Sequence, residues 1–179
     1  MAIKVVFVGP MGAGKTTAIT AISDIPTVKT EAKNHDKSVY SKATTTVAMD
    51  YGELSLEDGN KLALYGIPGQ RHFSFIWPIV AKGSLGSILL LDCSQSNWSD
   101  ELEYYINAFR SHADTGAMVI GLNRVTDSDD VSDTMQQFSL NFELALPYFF
   151  MDPRESSDVN LLLEALIVNA ELDLLLQEE

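Results

Sequence analysis

The chain opens on Ile3–Val8 (IKVVFV), a run of β-branched and aromatic residues that stops at Gly9 and Pro10. A short apolar run closed by turn residues predicts a buried strand. Lys15–Ser23 follows with helical spacing, and Asp24–Thr45 is then polar and reads as a long loop. A loop of that length inside a compact domain is usually functional. Val47–Leu56 and Lys61–Ile67 both alternate apolar and polar residues around the turn Glu57-Asp58-Gly59-Asn60, which predicts a β-hairpin. Beyond the break at Ile67-Pro68-Gly69-Gln70, the pattern predicts a short helix over Phe75–Lys82, a strand over Ser87–Asp92 and a helix over Ser99–His112. It then gives a strand over Ala117–Leu122, an acidic loop over Thr126–Asp133, a helix over Val131–Leu144, a strand over Tyr148–Met151 and a closing helix over Val159–Leu176. Strands separated by helices imply βαβ units. The expected fold is a single α/β domain spanning residues 1–179, with a mostly parallel six-stranded sheet, one antiparallel strand and helices on both faces.

Composition narrows the function. The 179 residues are 46% hydrophobic and 21% charged, an ordinary globular mix. Twelve basic residues stand against twenty-five acidic ones, a formal net charge of −13. A nucleic-acid binder needs a basic face to neutralise phosphates, so neither DNA nor RNA is an expected partner. No apolar run reaches the roughly 18–20 residues of a membrane span, and no signal peptide or lipidation motif is expected at either end. With Cys93 as the sole cysteine, no intrachain disulfide forms and a cytoplasmic location is expected. His35, His72 and His112 lack metal-ligand spacing, and a zinc site is not expected.

The chemistry begins at Gly9-Pro10-Met11-Gly12-Ala13-Gly14-Lys15-Thr16, which satisfies G-x-x-x-x-G-K-[ST] between a predicted strand and a predicted helix. Glycines let backbone N–H groups wrap phosphate oxygens. The helix that follows presents the positive end of its dipole. Lys15 supplies a point charge to the β- and γ-phosphates, and the Thr16 hydroxyl suits Mg²⁺, a hard cation that prefers oxygen. Downstream, Thr44-Thr45-Thr46 enters a strand, where a threonine completing a Mg²⁺ shell would order the preceding loop. Gly66-Ile67-Pro68-Gly69-Gln70 places a glycine N–H and a water-orienting glutamine after the second hairpin strand. Asn123 and Arg124 close a strand, at the end where parallel sheets bind ligands.

In order and spacing, GPMGAGKTT, TTTVAMDYG, GIPGQRHF, IGLNR and MDPRE resemble the Ras superfamily of small GTPases, and more closely its MglA-like bacterial branch. The resemblance implies a GTP/GDP switch with Mg²⁺ as cofactor. Gly12, Ala13, Gly14, Lys15, Thr16 and Thr17 would hold phosphates, with Thr16 and Thr46 on the metal. Thr46 matches the switch threonine best, and Thr44 and Thr45 remain candidates. Gly69 would sense the γ-phosphate, and Gln70 with Lys15 would serve catalysis. Asn123, Arg124 and Asp127 would meet the base, with Pro153 and Arg154 in the loop that closes over it. Two positions depart from the pattern. Gly66 replaces the usual metal-side aspartate, and Thr126 replaces the guanine-reading aspartate, leaving Asp127 one residue later.

Switch I carries no arginine, and Arg71 is either a solvated switch residue or an internal charge donor. Slow turnover is therefore expected, with an activating protein as a possible donor of the missing charge. Protein effectors and a Roadblock-type regulator are the partners that the resemblance implies. Phe73, Phe75 and Trp77 form either core or a partner surface, Trp98 anchors the core or shields an edge, and the last helix covers the sheet or docks a partner. The competing functions are a nucleotide-held scaffold without turnover, a P-loop NTPase without strict guanine selectivity, and a small-metabolite kinase. The kinase is disfavoured because the chain has only four arginines.

Overall fold

A computed structural model describes residues 2–34, 45–57 and 59–177, with side chains except at 31–34, 45–46 and 172–177. The first strand, β1 (Ile3–Val8), lies at the centre of a seven-stranded sheet. Its partners are β4 (Lys61–Gly66) and β5 (Gly86–Asp92), both parallel to it. Beyond β5 lie β6 (Met118–Asn123) and the short β7 (Tyr148–Phe150), also parallel. Every residue of β5 and β6 is buried. Continuous apolar runs of this kind belong to strands covered on both faces.

Helices supply that cover. Val5, Phe7, Ile88 and Leu90 point to one side, where they pack with Ile19 of α1 (Lys15–Ile22) and with Leu162 and Leu166 of α6 (Ser156–Gln177). Val6, Val8, Leu89 and Leu91 point to the other. There they meet Trp77 of α2 (Trp77–Ala81), Tyr105 of α3 (Trp98–Ala108), Ala113 of α4 (Arg110–Asp114) and Met135 of α5 (Ser128–Phe142). The two-residue alternation of a strand thus builds two cores from one sheet. Among the described residues no helix is long and apolar enough to cross a membrane.

The α/β class and the single antiparallel strand are as expected, but the sheet has seven strands rather than six. Part of the expected loop Asp24–Thr45 is a strand, β2 (Val28–Asn34), paired antiparallel with β3 (Thr45–Ser55) from Val28↔Tyr51 to Asn34↔Thr45. β3 is in turn antiparallel to β4. β2 is an edge strand with one neighbour, and VKTEAKN carries the alternating charges that edges tolerate, so its sequence resembles a loop. Thr44 lies outside the described residues.

Three helices also differ from expectation. The stretch read as Ser99–His112 breaks at Phe109, which leaves helical geometry at φ −113, ψ 32 and anchors its buried ring against Trp77. The helix expected from Val131 begins at Ser128, because Asp127 caps it. The short helix expected over Phe75–Lys82 is a 3-10 turn over Arg71–Ile76 that runs into α2, where Pro78 sits in the first turn, a position at which a missing N–H costs nothing.

Candidate functional site

The phosphate loop spans the gap between β1 and α1. Gly9 has φ +132 and presses on β5, where a Cβ would lie 2.1 Å from the Leu90 carbonyl oxygen. Gly14, at φ +106, starts α1 and faces Pro153. The first turn of α1 carries no acidic residue, so its positive end is free to meet an anion. Lys15 is buried within the arc, its Nζ donating to the carbonyls of Gly9 and Pro10 at 2.7 Å each. Burial pushes the Lys15 amine down to about 8, against an opposing pull from the charge of Asp50. An ammonium desolvated in this way gains strongly from an added anion.

One residue of the site went unread in the sequence. Asp50 of β3 is 8% exposed and accepts a hydrogen bond from the Thr16 hydroxyl on one oxygen and an ion pair from Lys29 at 2.6 Å on the other. Lys29, Asp50 and Gly66 form one row across β2, β3 and β4. A Cβ on Gly66 would lie 3.1 Å from Asp50 Cβ and 3.3 Å from its Oδ2. The carboxylate missing at position 66 is therefore supplied from the adjacent strand into nearly the same space. A buried carboxylate beside a helix-start hydroxyl is a hard oxygen donor set that fits Mg²⁺. A charged residue in the middle of an alternating strand was the signal available. The backbone of Thr46 pairs with Lys33 in the same hairpin, and its side chain lies outside the described ones.

Gly69 and Gln70 sit over the phosphate loop. A Cβ on Gly69 would lie 2.5 Å from the Gly9 oxygen and 2.6 Å from the Met11 nitrogen, so the two backbones touch. Tyr105 donates its hydroxyl to the Gly69 carbonyl at 3.0 Å, and the Trp77 indole N–H donates to Pro68 at 3.2 Å. Trp77 stacks between Tyr105 and Phe109, with centroids 5.0 and 5.6 Å away. The Gln70 amide reaches the Met11 sulfur at 3.8 Å. Arg71 turns away to α3, where it pairs with Glu101 at 2.8 Å and lies 4.0 Å above the Tyr104 ring. Phe73 and Phe75 are half-buried against the α3-side core.

On the other side of the phosphate loop opens a cavity of about 520 Å³. Gly12, Gly14 and Thr17 line it together with Asn123, Arg124, Pro153 and Arg154. Asn123 is buried and donates from its amide to the Ala13 carbonyl at 3.4 Å, which ties the end of β6 to the phosphate loop. Arg124 has a left-handed backbone, φ 53, and a guanidinium paired with Asp92. Burial pushes the Asp92 carboxyl up, but bonds from Ser94 and Arg124 outweigh it and hold the group below the ordinary carboxylate range. Asp127 does not line this cavity. Its carboxylate accepts from the backbone N–H groups of Asp129 and Asp130 at 3.1 and 3.2 Å and serves as the N-cap of α5. Asp152 faces the cavity instead, clasped by Arg154.

Comparison with known proteins places this geometry. The crystal structure of the G domain of the T. maritima FeoB iron transporter aligns with 95% of this chain and 99% of its own, with a TM-score of 0.61 at 15% identity. That likeness establishes the G-domain fold. An uncharacterized protein of Methanocaldococcus jannaschii is 32% identical over 101 residues, which are 56% of this chain and 58% of that protein. The alignment thus spans less than two thirds of that relative. The Ras-related protein Rab-8A of Pongo abelii is 27% identical over 165 residues, covering 88% of this chain and 72% of its own. The Ras-related protein Rab11D of Nicotiana tabacum is 21% identical over 159 residues, covering 88% and 67%. The family model described as conserved hypothetical ATP binding protein matches residues 7–144, from the end of β1 through α5. With that match reaching from the phosphate loop past Asn123 and Arg124, the chain belongs to the family of conserved hypothetical ATP binding proteins, built on a P-loop G-domain fold.

Proposed function

We propose that this protein is a nucleotide-driven molecular switch that binds GTP, hydrolyses it slowly with Mg²⁺, and engages protein effectors in its triphosphate state. The observation that carries the reading is the contact of Gly69 with the phosphate loop. The Gly69 backbone lies on Gly9 and Met11, and its carbonyl is held by Tyr105 of α3. A γ-phosphate bound at the loop therefore acts on a segment tied to the Trp77 stack, which converts the presence of one phosphate into a movement of the α2–α3 face. The Ras-related proteins among its relatives favour GTP as the nucleotide, and the family description adds ATP.

Lys15 and the amides of Gly12, Ala13 and Gly14 would hold the β- and γ-phosphates, with Thr17 toward the α-phosphate. Thr16 and Asp50, together with Thr46, would hold Mg²⁺. That ion would supply neutralisation of the phosphate oxygens as charge builds on them. Gln70 would orient the attacking water. Arg71 is engaged on α3, away from the phosphate loop, so turnover without a partner would be slow. An activating protein, nucleotide-dependent effectors and a Roadblock-type regulator are the partners of this reading, and the cytoplasm is its location.

Single-turnover GTP hydrolysis with Mg²⁺, measured for the wild type and Gln70→Ala, tests the proposal. A loss of ten- to a hundredfold in Gln70→Ala with unchanged GDP affinity supports it. Equal rates in the two proteins would remove the catalytic role of Gln70, and no turnover in either would leave a nucleotide-binding scaffold as the function.

A further inference from the structure

We infer that the base cavity admits purine nucleotides without selecting guanine over adenine. The inference rests on the reading that this cavity holds a nucleotide base, and it concerns what the walls can distinguish. Guanine presents two adjacent donors, N1–H and the 2-amino group, beside its O6 acceptor. Adenine presents an amino donor beside an acceptor nitrogen. Reading guanine's pair of adjacent donors, which adenine lacks, takes an uncommitted carboxylate.

No uncommitted carboxylate lines the cavity among the described residues. The carboxylate in the lining belongs to Asp152, and both of its oxygens are occupied. Oδ1 accepts from the Arg154 backbone N–H and Nε, both at 2.9 Å, and Oδ2 accepts from Nε at 3.1 Å and Nη2 at 2.5 Å. Three N–H donors, one of them shared between the two oxygens, hold this carboxylate. Asp127 does not line the cavity, and its Oδ1 caps α5. The backbone of residues 152–154 adds no free donor. Pro153 has no N–H, the Arg154 N–H goes to Asp152, and the Asp152 N–H goes to Asp158 at 2.9 Å. The Arg124 guanidinium gives one of its five N–H groups to Asp92, and those left can meet an acceptor on either purine.

What remains suits any purine. The Asn123 side chain can meet N7, which both bases carry. Phe150, 45% exposed, and Arg124 both line the cavity. An aromatic ring and an arginine stack on the face of a base and do not read its edge.

The test is displacement of a fluorescent GDP analogue from the full chain with Mg²⁺, by unlabelled GDP and by ADP. The expected Kd values lie within tenfold of each other, Asp152→Asn leaves their ratio unchanged, and Arg154→Ala, which frees a carboxylate at the base, raises it in favour of GDP. A wild-type preference for GDP beyond tenfold overturns the inference and leaves the switch reading standing. So does a fall in the ratio in Asp152→Asn, which would make Asp152 a guanine reader. An unchanged ratio in Arg154→Ala removes the role given to Arg154 in withholding that carboxylate. Failure of the fluorescent analogue to bind at all removes the nucleotide reading of the site itself.

Discussion

Asp50 and Gly66 stand directly opposite each other on the antiparallel strands β3 and β4, and the carboxylate of the first occupies the space beside the bare backbone of the second. On the proposed reading, the pair would act as one metal-side position divided between two strands. Asp50→Ala removes a charge-assisted bond to Thr16, a loss of about 1.5–3 kcal/mol. Mg²⁺-dependent nucleotide affinity is expected to fall roughly ten- to a hundredfold, with little change in the affinity measured in EDTA. The exchange Asp50→Gly with Gly66→Asp is expected to restore much of it. A double variant no better than Asp50→Ala would show that the strand of origin matters.

Lys15 gives the nucleotide-free protein a defined pH signature. Unfolded, its amine holds a proton up to about 10.5, whereas in the fold burial pushes that value down to about 8. Between those values the unfolded chain binds more protons, so stability rises with pH across that window. Below about 8 the burial penalty is present in full. Lys15→Met should therefore stabilise the nucleotide-free fold at pH 7 by up to roughly 3 kcal/mol, and should abolish nucleotide binding. Urea midpoints of both proteins at pH 7 and pH 10 check this, and the gap between them should shrink at the higher pH.

Gly69→Ala adds one methyl group against backbone that has no room to yield, 2.5 Å from the Gly9 oxygen. Overpacking of this kind costs about 1–3 kcal/mol. Thermal unfolding should register the loss. The displaced loop also pulls on the Tyr105 bond, so Trp77 emission should differ from wild type before any nucleotide is added.

Asp127→Ala separates two roles that the sequence could not. As the N-cap of α5 its loss should cost about 1 kcal/mol of stability, while GDP and ADP affinities stay within twofold of wild type. A large loss of GDP affinity would place the residue at the base after all.

The parts of the site that were legible in the sequence are those whose role is carried by neighbours along the chain. The loop from Gly9 to Thr16 is contiguous, and its flanking strand and helix follow from local periodicity. Asn123 and Arg124 were found because the end of a parallel strand is a predictable place. Asp50 was missed because its meaning depends on which residue of β4 lies opposite, a register that no local pattern states. β2 was missed because an edge strand buries little and need not look apolar. Asp127 drew two readings. The acid before Ser128-Asp129-Asp130 is an ordinary capping signal, which the structure bears out at its Oδ1, while the resemblance drew it toward the base.

The contact between Gly14 and Pro153 has a consequence for descent. A Cβ at Gly14 would meet the proline ring at 2.7 Å, so the loop that grips phosphate and the loop beside the base are fitted to each other by shape. Two positions far apart in the chain therefore share one steric allowance. Across related sequences they should vary as a couple: where the proline gives way to a smaller residue, the glycine's constraint relaxes to its backbone angle alone, and where it stays, no side chain should ever be found opposite it.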